Sequence, residues 1–211
     1  AQDQLIDGVT GIWYSERTAS GWSEPERIKL GSDESLDGAV YIKNDKMWFA
    51  SVRFDNYGEV DIYTAEKVDG KWKNIENAGE LLNEEYDIGE LHISDNGETI
   101  YFGRDGDIYR TEKTSKGWSE PNPLSINTEE YSEGQPFITS DGQELWFTGQ
   151  SRKGYTGPSV FRSIWNGSGW GEPTEIISNF AGEPCLNGDG NIYFVHHFYD
   201  QDMNMLEADI Y

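Results

Sequence analysis

The run Asp107-Ile108-Tyr109-Arg110-Thr111-Glu112-Lys113, followed by Gly117-Trp118-Ser119-Glu120-Pro121, decides the fold because the chain repeats it. Earlier come Gly11-Ile12-Trp13-Tyr14-Ser15-Glu16 and Gly21-Trp22-Ser23-Glu24-Pro25. The pattern returns as Asp61-Ile62-Tyr63 with Lys71-Trp72, and as Ser159-Val160-Phe161 with Gly169-Trp170-Gly171-Glu172-Pro173. A fifth copy of the first half, Asp209-Ile210-Tyr211, ends the sequence. Ile12, Ile62, Ile108, Val160 and Ile210 are spaced by 50, 46, 52 and 50 residues. Self-similarity at such a period marks a repeat architecture, in which each unit buries its apolar face against the next.

Around this run, each period carries three more strand-like segments. Gly134-Gln135-Pro136-Phe137-Ile138-Thr139 leads through Ser140-Asp141-Gly142 into Glu144-Leu145-Trp146-Phe147-Thr148. An Asp-Gly turn between two β-prone runs signals a hairpin, because glycine takes positive φ at no steric cost. The unit recurs at Ile93 to Phe102 and at Leu186 to Phe194. Near Lys43-Asn44-Asp45-Lys46 the glycine is missing, so Asn44 or Asp45 must supply the turn. Proline in the Gly-Trp-Ser-Glu-Pro segment removes a ladder donor and places that strand on an outer edge. Four short antiparallel strands per period of ~50 residues predict an all-β fold, a β-propeller of four-stranded blades. The expected domain is single, 1–211, with repeats near 31–80, 81–126 and 127–178 and partial repeats at 1–30 and 179–211. The third strand occurs once more often than the others, which suggests part of a five- or six-bladed ring or an unusual closure.

Composition agrees with this grammar. Hydrophobic residues are only 36% of the 211 and the formal net charge is -23, values that border on disorder. The 8 Trp, 12 Tyr and 9 Phe supply the buried surface that the aliphatic residues do not. The acidity (16 Lys and Arg against 39 Asp and Glu) argues against nucleic acid or anionic membrane as a partner and allows cationic ones. One cysteine, Cys185, permits no internal disulfide. No apolar run approaches the ~18 residues of a membrane span. No secretory leader is recognisable, so a processed, intracellular or partial chain is expected.

The repeat resembles that of TolB-type β-propellers. The matching pattern is Ser-x-Asp-Gly, an aromatic pair, a Ser-x-Arg-like segment, a Gly-rich loop, Asp-Ile-Tyr and Gly-Trp-Ser-Glu-Pro, with Gln135 to Phe147 the closest match. The resemblance implies an exported protein: periplasmic, cell-surface or extracellular. It leaves function open, because propellers of this type serve in binding proteins, envelope assemblies, peptidases and sugar lyases.

Several constellations could carry chemistry. In a propeller, the first strand of each blade lines the central channel. There the positions after the opening glycine are Ala39, Glu90, Gln135 and Glu183, a ring able to hold a cation or hydrogen-bond a sugar. His196 and His197 end a second strand, and His92 lies on a first strand. Some sugar lyases with similar propellers use channel histidines with a metal, so His92, Glu183 and one of the pair form the enzyme hypothesis. Adjacent strand residues face opposite ways, which weighs against both His196 and His197 entering one site. The acidic segments 32–37, 83–87 and 127–131 are candidates for calcium or another divalent cation, although none has the spacing of a dedicated loop. Asp61, Asp107 and Asp209 open third strands and are expected to bond turn backbone. Tyr57, Tyr155 and Tyr199 could stack on sugars. No nucleophile elbow or phosphate loop occurs. The favoured expectation is a non-catalytic binding or scaffold module for a protein or glycan. The alternative is a metal-assisted carbohydrate lyase.

Overall fold

The computed structural model describes residues 11–31, 36–80, 82–83, 90–152 and 157–211. Most of the acidic segments 32–37 and 83–87 lies outside them, as do the chain start and Tyr155. The fold is all-β and of the propeller class, its blades antiparallel sheets, with no helix among the described residues. The chain divides into two compact units, residues 2–87 and 88–211.

The first unit holds β1 (Trp13–Tyr14), β2 (Arg17–Thr18), β3 (Gly21–Trp22), β4 (Glu26–Arg27), β5 (Leu36–Lys43), β6 (Lys46–Val52), β7 (Asp61–Val68) and β8 (Lys71–Asn77). Strands β5 to β8 form one blade in sequence order, while β1 pairs β4 and β2 pairs β3. The turn from β5 to β6 is made by Asn44, whose φ is 53°, so asparagine replaces the missing glycine. Asp69 and Gly70, at φ 53° and 74°, join β7 to β8 with the positive φ angles that a two-residue hairpin loop needs. Ile12, Leu30, Met47, Phe49, Tyr63 and Ala65 form the core of this unit.

The second unit holds β9 (Leu91–Ile93), β10 (Thr99–Arg104), β11 (Asp107–Thr114), β12 (Gly117–Trp118), β13 (Asn122–Pro123), β14 (Glu133–Ile138), β15 (Glu144–Gln150), β16 (Pro158–Ile164), β17 (Thr174–Ile177), β18 (Ala181–Leu186), β19 (Ile192–Tyr199) and β20 (Met205–Ile210). They make three blades: β9 to β13, β14 to β17, and β18 to β20. The Gly-Trp segment sits at the blade edge, where β12 and β13 both pair β11 and the stretch Ser119-Glu120-Pro121 interrupts them. Second strands such as Leu145-Trp146-Phe147 are buried on consecutive residues rather than alternately. A strand covered on both faces reads as a continuous apolar run, which accounts for the aromatic pairs.

Asparagine and arginine recur as fasteners. Asn83 Oδ1 accepts the Ile62 amide and its Nδ2 donates to the Ile62 carbonyl, both at 2.8 Å. Asn127 does the same for Ile108, both at 2.9 Å. Asn83 and Asn127, each the first residue of a candidate cation-binding segment, clamp third strands with their side chains. Arg53, Arg104 and Arg152 lie over Tyr63, Tyr109 and Phe161 at 5.2, 4.2 and 5.1 Å. Arg53 also pairs with buried Asp37 at 2.9 Å, and Arg152 with buried Glu133 at 2.6 Å. Asp61 accepts the amides of Tyr57 and Gly58 and the Asn77 side chain, holding turn backbone.

Candidate functional site

Three of the four first strands, β5, β14 and β18, break their ladders at one point each. Register shifts fall between Gly38 and Tyr41, between Gly134 and Phe137, and between Gly182 and Cys185. Inside each break, the residue after the glycine takes left-handed backbone: Ala39 at φ 42°, Gln135 at 51° and Glu183 at 55°. A non-glycine residue there costs on the order of 1 kcal/mol, so surrounding contacts must hold it. For Glu183, the Thr148 hydroxyl accepts its amide at 2.8 Å. Gly182 sits so close that an added Cβ would lie 3.1 Å from Thr148 and 3.4 Å from Gln135 Oε1. Because Ala39 shares the bulge, the bend belongs to the scaffold. The side chain placed on it supplies any chemistry.

Within the second unit these bulges bring side chains together. Gln135 Nε2 donates to Glu90 Oε1 at 3.4 Å. His197 Nε2 lies 3.8 Å from Glu183 Oε1, an ion pair when the imidazole is protonated. His197 Nδ1 is buried with no partner among the described residues. Burial pushes the Glu183 carboxyl above the usual carboxylate range. The attraction of His197 opposes that shift, and repulsion from Glu90 adds to it. Two carboxylates, an amide and an imidazole thus share one neighbourhood with more negative than positive charge.

The other histidines are engaged differently. His92 Nδ1 accepts the Ile138 amide at 3.1 Å and its ring packs on Phe137 at 4.4 Å, tilted by 40°, so it ties two adjacent first strands. His196 faces Phe198 at 4.5 Å and Tyr211 at 6.1 Å. Among the described residues no three His, Cys, Asp or Glu side chains converge as a metal-holding group. Of the expected residues the structure gathers Glu90, Gln135, Glu183 and His197, while His92 and His196 make the contacts just described. Sequence reading missed the bulge and Thr148.

No protein-family model and no curated protein matches the sequence. The fold is similar to the crystal structure of TolB from Acinetobacter baumannii, with TM-score 0.57 and 14% identity over 97% of this chain and 49% of that one. It is similar to a thermostable family-43 glycoside hydrolase, with TM-score 0.56 and 14% identity over 97% of this chain and 91% of the other. A puromycin hydrolase also matches, with TM-score 0.51 and 14% identity over 82% of this chain and 32% of that one. The chain therefore spans about half the length of TolB and about a third of the puromycin hydrolase. These likenesses define the fold class, a β-propeller.

Proposed function

We propose that the chain is a non-catalytic, exported binding module built of TolB-type repeats, which takes a protein or glycan partner. The convergence of Glu90, Gln135, Glu183 and His197 carries the reading. We assign a cationic group of a protein partner, a lysine or arginine side chain, to this cluster. Two carboxylates that repel each other, one of them half-desolvated, gain most from a cation placed between them. The formal charge of -23 steers such a partner toward the chain. Likeness to TolB supports the reading of export.

The test is a titration of 15N-labelled protein with a short lysine-bearing peptide. Perturbation of the Gln135 side-chain amide and the His197 imidazole is expected, and it should vanish in the Glu90→Gln/Glu183→Gln variant. A response that persists in that variant places the peptide elsewhere. Calcium titrated alone separates an ion site from a peptide site.

A second reading, a carbohydrate-active enzyme, rests on the raised Glu183 carboxyl beside Glu90, a pairing that suits an acid and its counter-carboxylate. Turnover of neutral or acidic oligosaccharides that is lost in Glu183→Gln would favour it over binding alone.

A further inference from the structure

A tryptophan-lined cleft lies at the outer edge of the second unit, away from the first-strand cluster in sequence and in lining. Its volume is about 360 Å³, within the range of small-ligand sites. Trp165, Trp170, Arg110, Glu112, Asn122 and Ser125 line it. We propose that this cleft binds the ring of a neutral pyranoside.

The repeats themselves point to it. In register, the tryptophan of each outer segment faces the residue five positions after Ile12, Ile62, Ile108 or Val160. Arg17 faces Trp22, Lys67 faces Trp72, and Lys113 faces Trp118. In the fourth case the partner is Trp165, facing Trp170. Where three repeats place a cation, this one places a second indole, and the cleft is there. The two rings stand 5.3 Å apart at 71°, forming a corner rather than a stack. Trp170 packs on the core around Tyr101 and Phe161, which anchors one wall of the corner. Such a corner offers the flat apolar faces on which the C–H face of a sugar rests.

The remaining lining is polar and electrically balanced. Arg110 and Glu112 pair with each other and present donors and acceptors without net charge. Asn122 spends its Nδ2 on the Glu120 carbonyl, while its Oδ1 and the Ser125 hydroxyl have no partner among the described residues. That mixture suits hydroxyl groups, each donor and acceptor at once. In a chain this acidic, a neutral cleft argues against a cationic ligand. An extended peptide is disfavoured too, because the edge carries Pro121, Pro123 and Pro173 and cannot offer the unbroken ladder that strand addition needs.

The test titrates maltose and cellobiose separately, reading the indole signals of Trp165 and Trp170 by NMR. At least one disaccharide should give a saturable shift. Trp165→Lys, which restores the residue type of the other repeats, should weaken it by about tenfold or more. Asn122→Ala, at an exposed position that leaves the core untouched, should weaken it as well. Glu183→Gln lies in the other cluster and should leave it unchanged. No saturable shift with either sugar, or full binding in both Trp165→Lys and Asn122→Ala, overturns the proposal. Loss in Glu183→Gln assigns the sugar to the first strands and overturns it equally.

Discussion

Glu183 is the residue on which structure and chemistry meet, because its backbone is strained and its carboxyl is partly desolvated. Its pKa in the fold lies above the unfolded value, so the folded state holds the proton more tightly. The associated stability is present at acid pH and is lost as pH rises through the folded pKa. Glu183→Gln removes the charge, so its melting temperature relative to the parent should climb between the carboxylate range and neutrality. A difference that stays flat with pH contradicts the burial assigned to this carboxyl, and thermal melts at several pH values decide it. Arg53 gives a contrasting case. It pairs with buried Asp37, donates to the Leu30 carbonyl and covers Phe49 and Tyr63. Arg53→Ala removes the cation paired with a buried carboxylate, leaving Ser51 as a neutral donor to it, and should cost about 3 kcal/mol by denaturant unfolding, whereas a loss below about 0.5 kcal/mol is what an exposed pair gives.

At the scale of elements, the first-strand bulge and the broken outer strand do different work. The bulge turns the residue after the glycine into left-handed backbone, and at Gly182 it also lies close to Thr148 of the neighbouring blade. Gly182→Ala would press a methyl onto Thr148, whose hydroxyl holds the Glu183 amide. We expect a loss of about 1–3 kcal/mol, the usual range for an overpacked site, together with displaced Glu183 and Gln135 signals. Unchanged stability and spectra would mean that Thr148 yields freely. The outer strand was legible in advance, since proline after Gly-Trp-Ser-Glu denies a ladder donor. The hairpin turns were legible for the same kind of reason, down to Asn44 taking a place where glycine was missing. The bulge was not. It depends on contacts between residues about 35 to 45 apart in sequence, such as Glu183 with Thr148 and Gln135 with Glu90, which no local pattern encodes. Nor did spacing reveal that His92 spends Nδ1 on a backbone amide, or that Asn83 and Asn127 clamp third strands instead of offering oxygens to an ion.

At the scale of the whole molecule, the repeat spacing made the propeller class readable from about five copies of one motif, because each copy must bury the same aromatic face. Function was far less readable, since the repeated positions are the scaffold and chemistry sits where repeats differ: Glu183 where another copy has Ala39, Trp165 where others have a cation. The net charge of -23 adds a global term. Self-repulsion weakens as salt screens it, so the melting temperature should rise between low and physiological ionic strength. A fall would mean that local ion pairs such as Arg53 with Asp37 outweigh the repulsion. The central claim, a first-strand cluster that receives a cation from a partner, is tested most directly by carbon-detected NMR titration of the Glu183 carboxyl, with and without a lysine-bearing peptide. The account predicts a carboxyl that titrates above the ordinary range alone and moves down when the peptide is bound, since a cation favours the ionised form. A Glu183 titration that the peptide leaves in place would contradict it.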